Sequence, residues 1–361
     1  MKLISKLLLL TCCMAATYSY AQDTDSTPII KGTKAACTDG CCCGDNNTTP
    51  IGIMTAHIHD KGKWMASYIY MNMQMQGNQA GTQKASDNDL YKNYLMSPEH
   101  MTMQMHMAML MYGVTDRLTV MAMGGYATWH MRMTADQPLS CCPPGSDLMQ
   151  SSSAGMTDTK VYALYSLKKT DKGQLVGTLG MSLPTGATDV RGITILGNNE
   201  RLSYNMQPGT GSFAALPSVT YLRTGGFFSW GAQAGADVKL NRNNDGYKCG
   251  NMYNATAWLS HKFLPFLTAS LRAEGVSADQ ITGSDPAINI PYNLKGDPAA
   301  AAGNYGGQWV NVYAGVNVHF TQQALKNFQL QAEYGVPVYQ NLNGIQMTVH
   351  GNLLAGINYS F

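Results

Sequence analysis

Apolar and polar side chains alternate with a period of two along most of the chain after residue 62, which is typical of β-strands whose faces meet different surroundings. In residues 310–320 every even position is apolar, while the odd positions carry Asn, Tyr, Gly and His. Residues 228–239 alternate in the same way. The pattern predicts twelve strands, near residues 62–76, 100–114, 117–132, 153–168, 172–184, 210–222, 226–241, 247–263, 265–280, 304–320, 326–338 and 343–361.

The links between these strands fall into two classes that alternate along the chain. Short links, at 115–116, 169–172, 223–225, 264–265 and 321–325, are interleaved with links at 77–99, 133–152, 185–209, 242–246, 281–303 and 339–342, most of them long. Bacterial outer-membrane barrels have short periplasmic turns and longer external loops. The sequence therefore predicts an all-β fold, a transmembrane antiparallel β-barrel of about 12 strands, with both termini periplasmic.

The last predicted strand supports this fold. Residues 353–361 place Leu, Ala, Ile, Tyr and Phe on one face and Asn and Ser on the other, and the strand finishes on Phe361. An alternating strand that ends on an aromatic residue is similar to the C-terminal signal by which outer-membrane barrels are recognised for assembly. We therefore expect the barrel assembly machinery and outer-membrane lipid as partners.

Composition narrows the class of protein further. Only 13% of residues are charged, against about 25% in ordinary soluble domains. Residues 1–21 read as a signal peptide, with Lys2 and Lys6 before an apolar core and a small-residue cleavage site. Without it the chain is near neutral, which argues against nucleic acid as a partner. The expected organisation is a signal peptide (1–21), a Cys/His-containing periplasmic segment (22–60) and a barrel (61–361).

Several segments resemble a known family of outer-membrane proteins. They are GMTDTKVYALYSL (155–167), SLPTGATD (182–189), RLSYNMQPGTGSFAALPSVTYL (201–222), SWGAQAGADVKL (229–240) and YGVPVYQNLNG (334–344). They are similar to the "MetA-pathway of phenol degradation" family, and residues 56–78 and 101–111 look like a Met-rich subgroup of it. The resemblance implies an outer-membrane protein with a proposed transport role and supplies no catalytic residue.

The 24 methionines are concentrated on a few predicted strands, at alternate positions such as 101–111. Thioethers are soft ligands that select Cu(I), so a thioether ladder is one interpretation. Packing against lipid is the other, and the opposite face favours it because that face carries Gln104, His106, His130 and Arg132. We therefore expect most of these methionines to face lipid.

The polar face of each strand is expected to line the lumen, since ionisable groups at membrane depth belong there. These side chains would form either a structural charge network or a selectivity filter for a polar solute. The lumen-lining candidates are His106, His130, Arg132, Asp158, Lys160, Asp237, Lys239, Arg272, Glu274, His319, Glu333 and His350.

The segment before the barrel is the best candidate for metal chemistry. It contains Cys37, Cys41, Cys42, Cys43, Met54, His57 and His59. Thiolates and a His-x-His pair could hold Cu(I) or Zn(II), but the spacing matches no standard zinc pattern and exported thiols commonly form disulfides. No cofactor is identified with certainty, and copper is the one candidate.

Three functions remain to be weighed. The sequence favours a transporter or channel for a small solute, with a soft-metal (copper) binding or efflux-associated protein as the alternative. A hydrolase is the least supported, because no Gly-x-Ser-x-Gly elbow, phosphate loop or His-Glu-x-x-His motif occurs. We therefore expect no catalytic residues and no enzyme activity.

Overall fold

A computed structural model of the protein describes residues 48–136, 147–225, 227–288 and 296–361. Most of the described residues are in strands, with one short helix, α1 (Asp87–Tyr91), and two 3-10 turns, Tyr204–Met206 and Pro298–Ala300. The strands are β1 (Trp64–Gly81), β2 (Gln83–Ala85), β3 (Met96–Thr115), β4 (Leu118–Ala135), β5 (Leu148–Met156), β6 (Thr159–Lys169), β7 (Gly173–Leu183), β8 (Arg191–Thr194), β9 (Gly197–Arg201), β10 (Ala214–Gly225), β11 (Phe228–Lys239), β12 (Tyr247–Lys248), β13 (Met252–Leu264), β14 (Leu267–Ala278), β15 (Thr282–Gly283), β16 (Gly307–His319) and β17 (Phe328–Ser360).

Eleven of these strands form one closed antiparallel sheet, in which β1 pairs with β17 and leaves no open edge. Closure satisfies the backbone groups that an edge strand would expose. β17 turns back on itself near Gly344, so its first half pairs with β16 and its second half with β1. β5 and β6 both pair with β4 and together make one interrupted crossing. Counted in this way, the described chain runs the height of the barrel twelve times. The predicted barrel is confirmed.

The connections also alternate as expected. One end of the barrel, the short-turn end, carries tight links such as 116–117 and 265–266. The other, the long-loop end, carries residues 82–95, 184–213, 240–251, 279–288 and 296–306 among its connections. In the part of the chain described, no helix is long and apolar enough to cross a membrane.

The outer surface of the barrel is apolar over a broad band. Exposed side chains there include Val120, Leu179, Val219, Leu259, Leu271, Val312, Val316 and Ile357. Aromatic side chains flank the band on β13, with Phe263 at the short-turn end and Tyr253 toward the other. Their separation is close to the roughly 9–11 residues that a tilted strand needs to cross a bilayer. Such a surface is stable against lipid and would aggregate in water.

Strands β1, β3 and β4 are longer than a crossing requires, with 18, 20 and 18 residues. On the long-loop side of Tyr68 in β1 and of Tyr126 in β4, the outward side chains become polar, as in Gln74, Gln76 and Thr128. We infer that these strands continue beyond the apolar band at the long-loop end, where polar outward side chains meet water.

The interior is filled by chain that is not part of the wall. Residues 48–60, here called the lumenal segment, lie inside the short-turn half of the barrel: Ile51, Ile53 and Ala56 are at most 5% exposed. Loops 184–213 and 240–251 and residues 279–288 meet at the long-loop end, where Arg201 bridges Asp245 at 2.7 Å and Asp285 at 3.0 Å. Leu202 and Met206 of the first loop pack against the inward side chain of Met101. The lumen is therefore filled from both ends.

Candidate solute pathway inside the barrel

A buried charge cluster lies on one side of the lumen. Arg272 donates from Nε to Glu333 Oε1 at 2.8 Å and from Nη2 to Oε2 at 3.0 Å, a bidentate pair. The guanidinium also stands 3.7 Å from the centre of the Tyr313 ring, and Tyr313 donates to Glu274 at 3.0 Å. Because Arg272 and Glu333 are 4% and 1% exposed, either charge alone would be strongly unfavourable.

The lumenal segment is held by this cluster. The backbone N–H of Gly52 donates to Glu333 Oε2 at 3.2 Å, so the carboxylate that neutralises Arg272 also fixes the segment. A Cβ on Gly52 would lie 2.5 Å from Arg272 Nη2, so only glycine fits this close approach. The position of the segment and the charge cluster are thus coupled.

Further contacts connect the lumenal segment to inward side chains around the wall. The carbonyl of Thr49 accepts from Asn317 at 2.9 Å, and the hydroxyl of Thr55 accepts from Gln233 at 2.8 Å. On the opposite wall, the N–H of His59 donates to Thr119 Oγ1 at 2.9 Å. The segment therefore spans the lumen from β16 to β4 and obstructs it.

The two histidines of the lumenal segment are poor bases. Burial is the main reason that the pKa of His57 falls to about 4, and the neighbouring His59 lowers it further. Burial also lowers the pKa of His59. Both imidazoles are therefore neutral at neutral pH, when a ring nitrogen is free to accept a hydrogen bond or bind a metal.

Methionines cover the inner wall of β1, β3, β4 and β5. The exposure pattern places Met101, Met111, Met121, Met131 and Met149 inward, each at most 3% exposed. The prediction that these residues face lipid is wrong. The interior beside this wall holds an apolar segment and loops instead of water, so apolar side chains point inward there.

A cavity of about 240 Å³ lies inside the barrel between β1, β16 and β17. Its lining combines thioethers from Met73, Met75 and Met347 with polar groups from Asn311 and Asn352. The cavity is smaller than the roughly 300–1,000 Å³ of typical ligand pockets, so in this conformation it suits only a small solute.

A second polar group of side chains faces inward from β6 and β11. Lys239 contacts Asp237 at 2.7 Å, and Lys160 lies on the inward face of β6. Asp158 accepts from the N–H of Gly186 at 2.9 Å and from Thr210 Oγ1 at 2.7 Å, so it holds loop 184–213 against the wall. Its role in this structure is to brace the loop.

Four of the expected lumen-lining residues face outward. His106, His130 and Arg132 are exposed on the same face as Leu110 and Tyr126, so the prediction that they line the lumen is wrong. The reason is that they lie at or beyond the edge of the apolar band: His106 accepts from or donates to the Tyr68 hydroxyl at 2.6 Å, and Arg132 pairs with Glu99 at 3.0 Å.

His350 is the fourth. Gln74 pairs with Gly351 and Met75 with Val349, so His350 is the additional residue of a β-bulge and is exposed. Beyond a bulge, odd and even positions point to the opposite faces from those before it. The alternation of apolar and polar residues in the last strand does not reveal the bulge. His319, by contrast, lies on the inward face close to the short-turn end, partly buried.

The signal peptide lies outside the described part of the chain, and so do four of the expected metal-site residues: Cys37, Cys41, Cys42 and Cys43. The Met54, His57 and His59 part of the metal hypothesis is described, and all three belong to the lumenal segment. Among the described residues, no group of three or more His, Cys, Asp or Glu side chains is arranged to hold a metal ion.

The sequence interpretation missed the lumenal segment, part of the region expected to lie in the periplasm. A signal was present, because Ile51, Ile53 and Ile58 occur within eight residues of a stretch otherwise assigned to solvent. Isoleucine is among the residues most often buried, so three of them close together indicate a buried segment.

No family model matches the chain, and no curated protein matches it; the expected family remains a prediction. Among solved structures, the chain is similar to the COG4313 outer membrane channel from Pseudomonas putida F1, with a TM-score of 0.55 and 15% identity over 88% of this chain and 98% of that one. The NanC porin (TM-score 0.40, 10% identity, 80% and 98% covered) and the TodX deltaS2S3 mutant monoaromatic hydrocarbon channel (0.38, 11%, 84% and 91%) are less similar. The fold is that of outer-membrane barrels.

Proposed function

We propose that the protein is an outer-membrane channel for a small solute, closed in this conformation by the lumenal segment and the long-loop end. The observation that carries the proposal is the filling of the lumen by a segment that is separate from the wall. A barrel with only a structural role could fill its interior with side chains from its own strands. Here the obstruction is a stretch of chain that could leave without breaking any strand pair.

The inner wall also suits a passage. Polar and charged side chains such as Gln233, Arg272 and Glu333 face inward beside the lumenal segment. Once the segment leaves, these groups would meet water and solute, which is the usual lining of a selective pore. In the proposed orientation the short-turn end faces the periplasm, so the segment is attached on the periplasmic side, with outer-membrane lipid around the band and the barrel assembly machinery as the partner for insertion.

The test is solute flux through liposomes that contain the full chain. Ile53 is 2% exposed and packs with Ala56 and Trp258; the substitution Ile53→Asp would bury a charge and should expel the lumenal segment. The matched control is Leu196→Asp, at an exposed position between β8 and β9.

We expect low flux of ions and small sugars for the wild type and the control, and a clear increase for Ile53→Asp. If neither the wild type nor Ile53→Asp passes any solute, although both insert and are folded by circular dichroism, the channel proposal is wrong.

A further inference from the structure

The inward methionines form rows across neighbouring strands. Met65 pairs with Met111, and Met111 pairs with Met121, so three thioethers lie side by side across β1, β3 and β4. A second row runs through Met75, Met101 and Met131. Directly opposite residues of antiparallel strands have Cβ atoms about 4.5–5.5 Å apart, so flexible Met side chains of one row can place their sulfur atoms around a single ion.

These rows lie in a continuous series along the inner wall. Met105 and Met103 pack against the cluster at the long-loop end, which contains Met101 and Met131. Met105 also packs in the middle cluster, and Met123 connects that cluster to the one around Met111 near the short-turn end. Thioethers therefore continue from one end of the lumen toward the other.

His59, a buried histidine whose ring has no partner in the described part of the chain, has its backbone against the wall next to the row nearest the short-turn end. His59 is 1% exposed, and among the described residues neither of its ring nitrogens has a hydrogen-bond partner. Its backbone contacts the wall at Gly113 and Thr119, the inward pair next to Met111 and Met121. Buried polar nitrogens normally have a partner, and a bound cation would supply one.

Packing alone does not account for this distribution. The same clusters contain Leu164, Val176 and Leu354, so this interior also accommodates aliphatic side chains. Among the described residues, few methionines are exposed at 41% or more: Met156, Met181 and Met252. Met can fill irregular gaps, but rows of Met on the wall that the His59 backbone contacts, together with its unpartnered ring, supply soft, uncharged ligands.

We propose that the Met-lined wall binds a soft monovalent cation, Cu(I) in the cell, and that Met65, Met111, Met121 and His59 form its site nearest the short-turn end. Thioether ligands select Cu(I) over harder ions, and imidazole is also a copper ligand. Because all four ligands are uncharged, the site suits a singly charged ion better than a divalent one. This inference names the solute class of the proposed channel and rests on that function.

Silver(I), which shares the ligand preference of Cu(I) and is not readily oxidised, is the probe. The full chain, with its cysteines replaced by serine so that cysteine cannot bind, is titrated by calorimetry, and bound silver is counted by elemental analysis. The test variant is Met65→Leu/Met111→Leu/Met121→Leu, since Leu for Met nearly conserves volume. The control is Met156→Leu/Met181→Leu/Met252→Leu, and His59→Gln is measured separately.

We expect the test variant Met65→Leu/Met111→Leu/Met121→Leu, the lumenal triple variant, to bind silver at this site about 100-fold or more weakly than the wild type. Loss of a single outer-shell partner of a metal site already weakens binding by about 10- to 100-fold. His59→Gln should weaken binding as well, and the control should match the wild type. X-ray absorption should show a nitrogen neighbour of silver beside the sulfur neighbours in the wild type and in the control, and no such nitrogen neighbour in the lumenal triple variant. Equal affinity in the lumenal triple variant and the wild type, or an equal loss in the control, overturns the inference.

Liposome flux on the same preparations separates this inference from the channel proposal. Solute flux without specific silver binding overturns the metal assignment and supports the channel. Silver binding that depends on the lumenal row, with no flux in either the wild type or Ile53→Asp, supports the thioether site and overturns the channel.

Discussion

Gly52 offers a way to displace the lumenal segment without changing any charge. A Cβ at this position would lie 2.5 Å from Arg272 Nη2, 2.7 Å from Arg272 Cζ and 2.8 Å from Glu333 Oε2. These atoms cannot yield easily, because the bidentate pair between Arg272 and Glu333 fixes both side chains. Gly52 has no positive φ, so alanine brings only the steric clash and no backbone strain.

The size of the effect follows from this geometry. Forcing additional atoms into a well-packed interior costs about 1–3 kcal/mol, and displacement also lengthens the 3.2 Å hydrogen bond from the Gly52 N–H to Glu333. If the penalty falls on the seated segment, the population of released segment rises by roughly 5- to 150-fold. The Arg272–Glu333 pair and the strand pairing of the wall are left intact.

The assay is single-channel recording of Gly52→Ala in planar bilayers, together with limited proteolysis of residues 48–60. We expect more frequent openings of unchanged conductance, and faster cleavage of the segment. Gly124→Ala is the matched control, because a Cβ there meets nothing within 4 Å. An open probability and a cleavage rate equal to those of the wild type would show that Gly52 does not hold the segment and that its position is not coupled to the Arg272–Glu333 pair.

Three further predictions concern the charged and thiol groups. Glu333→Gln should lower the free energy of unfolding, measured in urea, by about 3–5 kcal/mol, because Arg272 loses its buried partner. The double variant Arg272→Met/Glu333→Leu should come close to the wild type in stability, because it removes both charges. Equal stability of the two variants and the wild type would refute this. Arg201→Gln should speed proteolysis of loops 240–251 and 279–306 at unchanged strand content, since its partners Asp245 and Asp285 lose their bridge. Burial raises the pKa of the Cys249 thiol to about 11, so iodoacetamide at pH 8 should alkylate it roughly 100-fold more slowly in the folded than in the urea-unfolded chain; equal rates would contradict the burial.

The sequence predicts the wall of this barrel well and its contents poorly. All twelve crossings and both classes of link follow from alternation and turn residues, since each strand of a barrel has a lipid-facing and an inward face. For residues 228–239 and 310–320 even the faces are right, because there the lumen is polar and the lipid side apolar.

On β1, β3 and β4 the same rule fails. It assumes that polar side chains face the lumen, whereas His106 and His130 lie at or above the edge of the apolar band and Met111 faces an interior already filled with protein. Strand alternation identifies two faces and gives no information about which of them meets buried chain. That depends on residues 48–60, which lie far in sequence from the β13, β16 and β17 side chains that they contact.

The seam of the barrel has a consequence for how the molecule is made. β1 and β17 join residues as distant as Met65 and Ser360, and Trp64 and Phe361 exchange backbone hydrogen bonds of 2.9 Å. Such long-range pairing forms late and slowly during folding. The lumenal segment directly precedes β1, so it must be inside before the two strands meet, or be threaded afterwards through the short-turn opening. Assembly order would thus decide whether the lumenal segment ends up inside or outside a newly closed barrel.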